Sequence, residues 1–449
     1  MRSRLLCWSV VLTSAATVAC GGNSSGPQPG PPAAFVLVSG EQQSAQPAMT
    51  LPQPLVVQVN DATGIGVPGV HIRFFTGGDA GFASGAGFAP GLDATTDAQG
   101  RTSANYRLGS GVGVYGAFAQ TEDVLNHARV YFRATATGPQ PALVATVQVG
   151  EAPQGVSVDP VSNRIFVGNN GNQVGCDFLP PKHVDASTVT VIDGSTHQTQ
   201  SVTVGRSPIY AVPYSARGQL YVATSGDVAL DVLDAASFQR LVLHPNAASH
   251  QPAIYAARDE VWANNSNGQS VSVVRGVDAV LVANVATPAR THGVAVNPVS
   301  DEVLLTNVDP PIGVTVIDAS TRSVKETVAL SAALGIAVNT TTNRIFVSTS
   351  LNNRIFVLDG TTKAMVKEID VGRHSIELSV DETRNRIYFA SQTIPYSVGV
   401  IDGVTNTLLG YHPVGACPWG VAVNPDTNRV YVGNQADNTV TVLDASKLP

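Results

Sequence analysis

Charge is scarce in this chain. Asp, Glu, Lys and Arg make up 13% of its 449 residues, roughly half the usual quarter. The formal net charge is −7 and Lys and Arg form no run, so the basic stripe that neutralises phosphates is missing and nucleic-acid partners are set aside. Cysteine is nearly absent too. Of four, Cys7 and Cys20 belong to an N-terminal leader, leaving Cys176 and Cys417 for the folded part; no Cys-x-x-Cys supports a zinc or redox reading. Strong helix-period stretches are lacking beyond the leader, and neither a P-loop nor His-Glu-x-x-His occurs. The one Gly-x-Ser-x-Gly match, Gly22 to Gly26, lies where no strand-to-helix elbow can form. Two Gly-x-Gly-x-x-Gly matches, 64–69 and 111–116, sit among strand patterns and open no helix. No cofactor of the Rossmann kind is expected.

What the chain has instead is a repeat. An apolar alternating run ending in an Asp-Gly/Ala-Ser/Thr turn recurs at Asp193, Asp234, Asp318, Asp359, Asp402 and Asp444, with Arg275 in the remaining slot; the spacings are 41, 41, 43, 41, 43 and 42 residues. A period in the low forties built of short strands predicts an all-β, seven-bladed β-propeller over 144–449. The last copy shows the layout: Pro418 to Val423 as inner strand, Asn428 to Asn434 next, then Asn438 to Asp444. The fourth strand comes from the opening of the following copy. An orphan strand at Val144 to Gly150 is therefore expected to pair with the last blade and close the ring, removing exposed sheet edges. The repeated Asp residues and Asn163, Asn343, Asn385 and Asn428 are read as turn formers.

Before the repeat, Arg2 and Arg4, an apolar stretch and Thr17-Val18-Ala19-Cys20 make a secretory leader, too short for a permanent span. This leader (1–19) resembles the bacterial lipoprotein type, which implies lipidation of Cys20, although Thr17 departs from the Leu usual there. Residues 20–32 form a flexible tether. Short alternating runs over 33–136, including LPQPLVVQVNDATGIGVPGVHIRFF, TDAQGRTSANYRLG and VYFRATA, suit an antiparallel β-sandwich. They resemble bacterial Ig-like domains of the intimin and invasin type, which implies a spacer. Residues 137–143 link it to the repeats. Those repeats, GACPWGVAVNPDTNRVYVGN and GEAPQGVSVDPVSNRIFVGN best of all, resemble the YVTN family of propellers, a mixture of surface, secreted and periplasmic proteins.

Function in such a ring gathers where the loops entering each inner strand meet the loops between its second and third strands. Candidates there are Arg206, His250, Arg290, His292, Arg373, His374, Glu377 and Trp419, with Glu151 beside them. The three His sit at different loop offsets, and packed sheets stand about 10 Å apart, so scattered His residues are favoured over a metal site and no metal is assigned. Arg206, Arg290 and Arg373 would suit a small anion, and Trp419 a sugar ring or simple packing. The first blade carries an insertion, GNQVGCDFLPPKHVDAS, holding Cys176 and Phe178. It is a lid candidate, and register places it on the same face as Cys417, predicting a Cys176–Cys417 disulfide.

The leading expectation is an extracytoplasmic, lipid-anchored monomer, touching membrane through its anchor only, whose propeller face binds a protein, a glycan or a small anionic ligand. The alternative is a lactonase- or lyase-type enzyme at the channel mouth, with His292, His374 and Glu377 as acid and base groups. A third reading is a purely architectural surface-layer component.

Overall fold

The computed structural model of the chain describes residues 28–449 except 86, 125–127, 174–175, 177–178, 249, 266–267 and 350. The leader, Cys20 and the Gly22 to Gly26 match lie outside the described residues, as does Phe178. No helix among the described residues is long and apolar enough to cross a membrane.

Seven four-stranded antiparallel sheets follow one another along the C-terminal segment. Their inner strands are Pro153–Asp159, Pro208–Tyr214, Pro252–Tyr255, Thr291–Asn297, Ala333–Asn339, Ser375–Asp381 and Pro418–Asn424, numbered here as sheets one to seven. Each inner strand touches the next, and the seventh touches the first. Sheet seven borrows its outer strand from the start of the segment: Leu143–Gln148 runs antiparallel to Thr439–Asp444, with Thr146 opposite Thr441. Two further backbone bonds extend this seam, from Val149 N–H to the Asn438 carbonyl at 2.9 Å and from Asp444 N–H to the Ala142 carbonyl at 2.8 Å.

Two repeated positions explain why each copy folds alike. The residue before the second strand adopts a left-handed backbone in all seven sheets: Asn163, Gly218, Asp259, Asp301, Asn343, Asn385 and Asn428 have φ between 48° and 62°. Gly, Asn and Asp tolerate this region best. The carbonyl of each accepts an N–H from the turn after the third strand, as from Gly194 to Asn163 at 2.8 Å and from Ala445 to Asn428 at 3.0 Å. In that turn the repeated Asp does the work its spacing suggests. Asp193 Oδ1 accepts from Ser195 and Thr196 N–H at 2.9 and 2.8 Å, and Asp234, Asp318, Asp359 and Asp402 repeat the pair of bonds. Where Arg275 takes the slot, Asp259 Oδ2 accepts the N–H of Val277 at 2.9 Å instead.

Successive sheets are stapled through the same left-handed residues. Asn297 donates to Asn343 at 2.9 Å, Asn339 to Asn385 at 2.8 Å, and Asn424 to Asn163 at 2.9 Å across the seam; Tyr214 and Tyr255 reach Asp259 and Asp301. Apolar clusters fill the spaces between sheets, each drawing on two neighbours, as Val156, Ile165 and Ile192 do with Tyr431 and Val440.

The N-terminal unit has three sheets around one core that includes Leu55, Phe74, Phe82, Tyr106 and Phe132. It rests on the loops of sheets six, seven and one. Val114 joins a buried cluster with Cys176, Leu179, Ile394, Tyr396 and Cys417, and Arg133 pairs with Asp437. A contact of this kind holds the unit against the ring rather than leaving it on a free linker.

A Cβ built on Gly420 would stand 2.2 Å from the Gln154 carbonyl, whereas one on Gly87 meets nothing within 4 Å. Gly420→Val is therefore expected to cost about 2 kcal/mol or more in denaturant unfolding, and Gly87→Ala far less.

Candidate functional site

The axis of the ring is lined at one level by residues counted from the left-handed position. Nine residues before it stand Gln154, Ile209, His250, His292, Leu334, Ile376 and Trp419; eight before it stand Gly155, Tyr210, Gln251, Gly293, Gly335, Glu377 and Gly420. The four glycines are needed because a neighbouring strand passes too close: a Cβ on Gly155 would lie 2.4 Å from the Tyr210 ring, and one on Gly335 2.5 Å from the Ile376 carbonyl. Backbones that approach so closely bring side chains from separate sheets together on the axis.

The His250 and His292 rings meet with centres 3.9 Å apart and planes tilted by 46°, Tyr210 lies 6.0 Å from His250, and Trp419 lies 6.3 Å from His292. Glu377 Oε1 is 3.7 Å from His292 Nδ1, and the Tyr210 hydroxyl bonds the Glu377 carboxyl from the far side of the ring. Burial pushes the Glu377 carboxyl up to about 7 and the His292 imidazole down to about 4; His250 is held well below the usual imidazole range, by burial first and then by His292. Desolvation disfavours charge on each group. Near pH 6 the 3.7 Å contact joins two neutral groups and is not an ion pair. The cluster also leaves Gln154 Oε1, His250 Nδ1, His292 Nδ1, Glu377 Oε1 and Trp419 Nε1 buried with no hydrogen-bond partner.

Four of the eight sequence candidates, His250, His292, Glu377 and Trp419, thus meet. The expectation of scattered His residues fails for two of the three because the glycine register narrows the axis well below sheet-packing distance. His374 lies one residue ahead of the inner strand of sheet six, where its N–H donates to Thr393 Oγ1 at 2.9 Å. The arginines are not gathered into an anion pocket; each is held by a loop of its own sheet. Arg206 Nε lies 2.7 Å from Asp227 Oδ1, Arg290 donates through two nitrogens to Asp309, and Arg373 donates to the Pro395 carbonyl at 2.8 Å while its guanidinium sits 4.4 Å from the centre of the Tyr411 ring. Among the described residues, no group of three His, Cys, Asp or Glu is placed to hold a metal. Sequence reasoning missed Gln154 and Tyr210; counting back from the residue before the second strand in every copy would have found both.

Cys176 and Cys417, 241 positions apart in the chain, are joined in a disulfide whose Cα atoms lie 5.7 Å apart, a distance within the ordinary range. The bond ties the sheet-one insertion to sheet seven. The insertion packs against the N-terminal unit and leaves a cleft of about 580 Å³ lined by Leu37, Tyr131, Arg133, Leu179, Pro181 and Lys182. Lys182 also takes Glu151, at 2.8 Å.

No family model matches this chain, and no curated protein matches it. Solved structures do resemble it. A hydrazine synthase chain of Kuenenia stuttgartiensis aligns with a TM-score of 0.56 at 15% identity over 69% of this chain and 99% of that one. A chain of a mitotic checkpoint complex gives 0.56 at 12% identity, over 68% and 95%. The Cps50 (Swd1) β-propeller domain of Myceliophteria thermophila gives 0.54 at 11%, over 68% and 99%. The C-terminal segment is a β-propeller. At such identities the likeness shows the fold alone.

Two outcomes are expected. The double variant Cys176→Ser, Cys417→Ser should lose about 2–4 kcal/mol of stability and become cleavable by protease between residues 171 and 186. For Glu377 the carboxyl is raised from 4.5 to about 7 on folding, so the folded state holds the proton more tightly and stability is lost as pH rises between those values. Glu377→Gln removes that slope, and its melting temperature relative to the parent should climb from pH 4.5 to 7, by the equivalent of about 3 kcal/mol.

Proposed function

We propose that this is an extracytoplasmic binding protein, lipid-anchored through Cys20, in which an Ig-like unit of the intimin and invasin type supports a seven-bladed propeller of the YVTN kind and the propeller's axial mouth receives a ligand. The observation that carries this reading is the set of five buried polar atoms on Gln154, His250, His292, Glu377 and Trp419 that the protein leaves unsatisfied. Each such atom costs about 1–3 kcal/mol, and a group of them at the convergence of five sheets is what a ligand's polar atoms would complete. The rim around it, where Arg206 and Arg290 stand more than half exposed beside their Asp partners, offers a wider surface to a protein or glycan. The N-terminal unit covers the loops of sheets six, seven and one, so a large partner would approach over sheets two to five.

One observation favours an enzyme as the second reading. A carboxyl brought to about 7 beside a neutral imidazole 3.7 Å away is the pairing that general acid–base chemistry uses near neutral pH. His374, outside the register of that pair, takes no part.

A thermal-shift screen of the full chain against sugars, amines, carboxylates and lactones tests both. A hit whose shift disappears in His292→Ala and persists in Arg290→Ala supports the axial site; turnover of the hit, lost in Glu377→Gln, supports the enzyme. No hit of any class sinks the axial reading.

A further inference from the structure

We propose that the axial cluster takes an ammonium cation, the head of a small primary amine, held between Glu377 Oε1 and His292 Nδ1, with the rings of His250 and Trp419 beside His292. This rests on the axial mouth being a binding site and goes on to name its chemistry. Of the five unpartnered buried atoms, Gln154 Oε1, His250 Nδ1, His292 Nδ1 and Glu377 Oε1 carry lone pairs, and only Trp419 Nε1 is a donor. Both imidazoles are neutral near pH 7. The His250 ring meets the backbone of His292 and the His292 ring that of Leu334; these contacts favour the ring proton there and leave Nδ1 as acceptor. An anion entering such a space would face acceptors, and the arginines that would welcome it are bound to Asp227, Asp309 and Pro395.

The occupant must therefore bring several donors on one compact centre. An ammonium has three N–H groups, and one nitrogen about 2.9 Å from each partner spans the 3.7 Å between His292 Nδ1 and Glu377 Oε1. Aromatic rings on the flanks add cation–π attraction. A divalent metal is the rival cation, but no three ligand-type residues among those described are arranged for one. Glu377 supplies the negative charge once ionised, so uptake follows its deprotonation. The groups facing it are His292 and Tyr210, with His250 beyond His292 and Gly335 beside its own backbone. Neither imidazole, both lowered, nor the raised Tyr210 hydroxyl changes charge between pH 5 and 8.

The test is calorimetric titration of the full chain with methylammonium chloride, and in separate runs with sodium acetate and zinc chloride. Expected is saturable one-to-one uptake of methylammonium at pH 8 that weakens about tenfold per pH unit below about 7, falls at least tenfold in Glu377→Gln and is unchanged in Asp309→Asn. Should Glu377→Gln fail to fold, as judged by its melting curve, Trp419→Leu serves instead and weakens uptake with the carboxylate intact. Saturation by acetate, stoichiometric zinc uptake at these residues, or no saturable uptake of methylammonium overturns the proposal. If a screened compound of another class still binds in a His292-dependent way, only the ammonium assignment falls; if none does, the axial binding site falls with it.

Discussion

The pairing of Leu143–Gln148 with Thr439–Asp444 is the constraint on which the rest of the ring depends. Without it sheet seven would have three strands, sheets one and seven would lack their common boundary, and two strand edges would face solvent. The seam is reinforced at three levels of the structure: by backbone bonds at Val149 and Asp444, by the Asn424 to Asn163 staple and by the Cys176–Cys417 bond near the mouth. All three join residues more than two hundred positions apart. Axial geometry follows from closure, because Gln154 and Trp419, on either side of the seam, reach the same cluster only when the first and last inner strands touch.

The ring's regularity is a matter of local backbone chemistry. One left-handed residue per sheet sets the first hairpin and receives the N–H of the turn beyond the third strand, and in five sheets its side chain also meets the neighbouring sheet. Copies lacking Asn at that position use other groups for the same contact, with Tyr214 on Asp259 and Tyr255 on Asp301. The low charge content fits this design: most residues of the second and third strands are buried, and charged groups pair at strand ends and in loops, as Arg386 does with Asp402 across adjacent strands.

Architecture was legible in the sequence to the extent that it is written in short-range patterns. The 41 to 43 residue spacing of the turn Asp residues marked seven sheets, and the orphan run near Val144 marked the closing strand, because strand period and turn residues are local signals. The candidate site was legible in half. Loop positions led to His250, His292, Glu377 and Trp419, but the choice was made by residue type rather than by register, so Gln154 and Tyr210, which share the register of Trp419 and Glu377, were passed over. The capture of Arg206 and Arg290 by Asp227 and Asp309 was not readable, since each partner lies across a hairpin in a loop with no fixed register. Nor was the seat of the N-terminal unit, which depends on surfaces formed by Val114, Arg133, Ile394 and Asp437, residues that share no motif.

The glycine register at the axis has an evolutionary reading. Every sheet presents one or two side chains to the centre from the same backbone, and the four glycines keep that backbone in place whichever side chain stands beside them. Exchanging one residue, a His for a Leu or a Gln for a Trp, would rewrite the chemistry of the centre without moving a strand. A lineage built on this frame can change the groups at its centre one substitution at a time, each sheet serving as an independent letter in a seven-letter word.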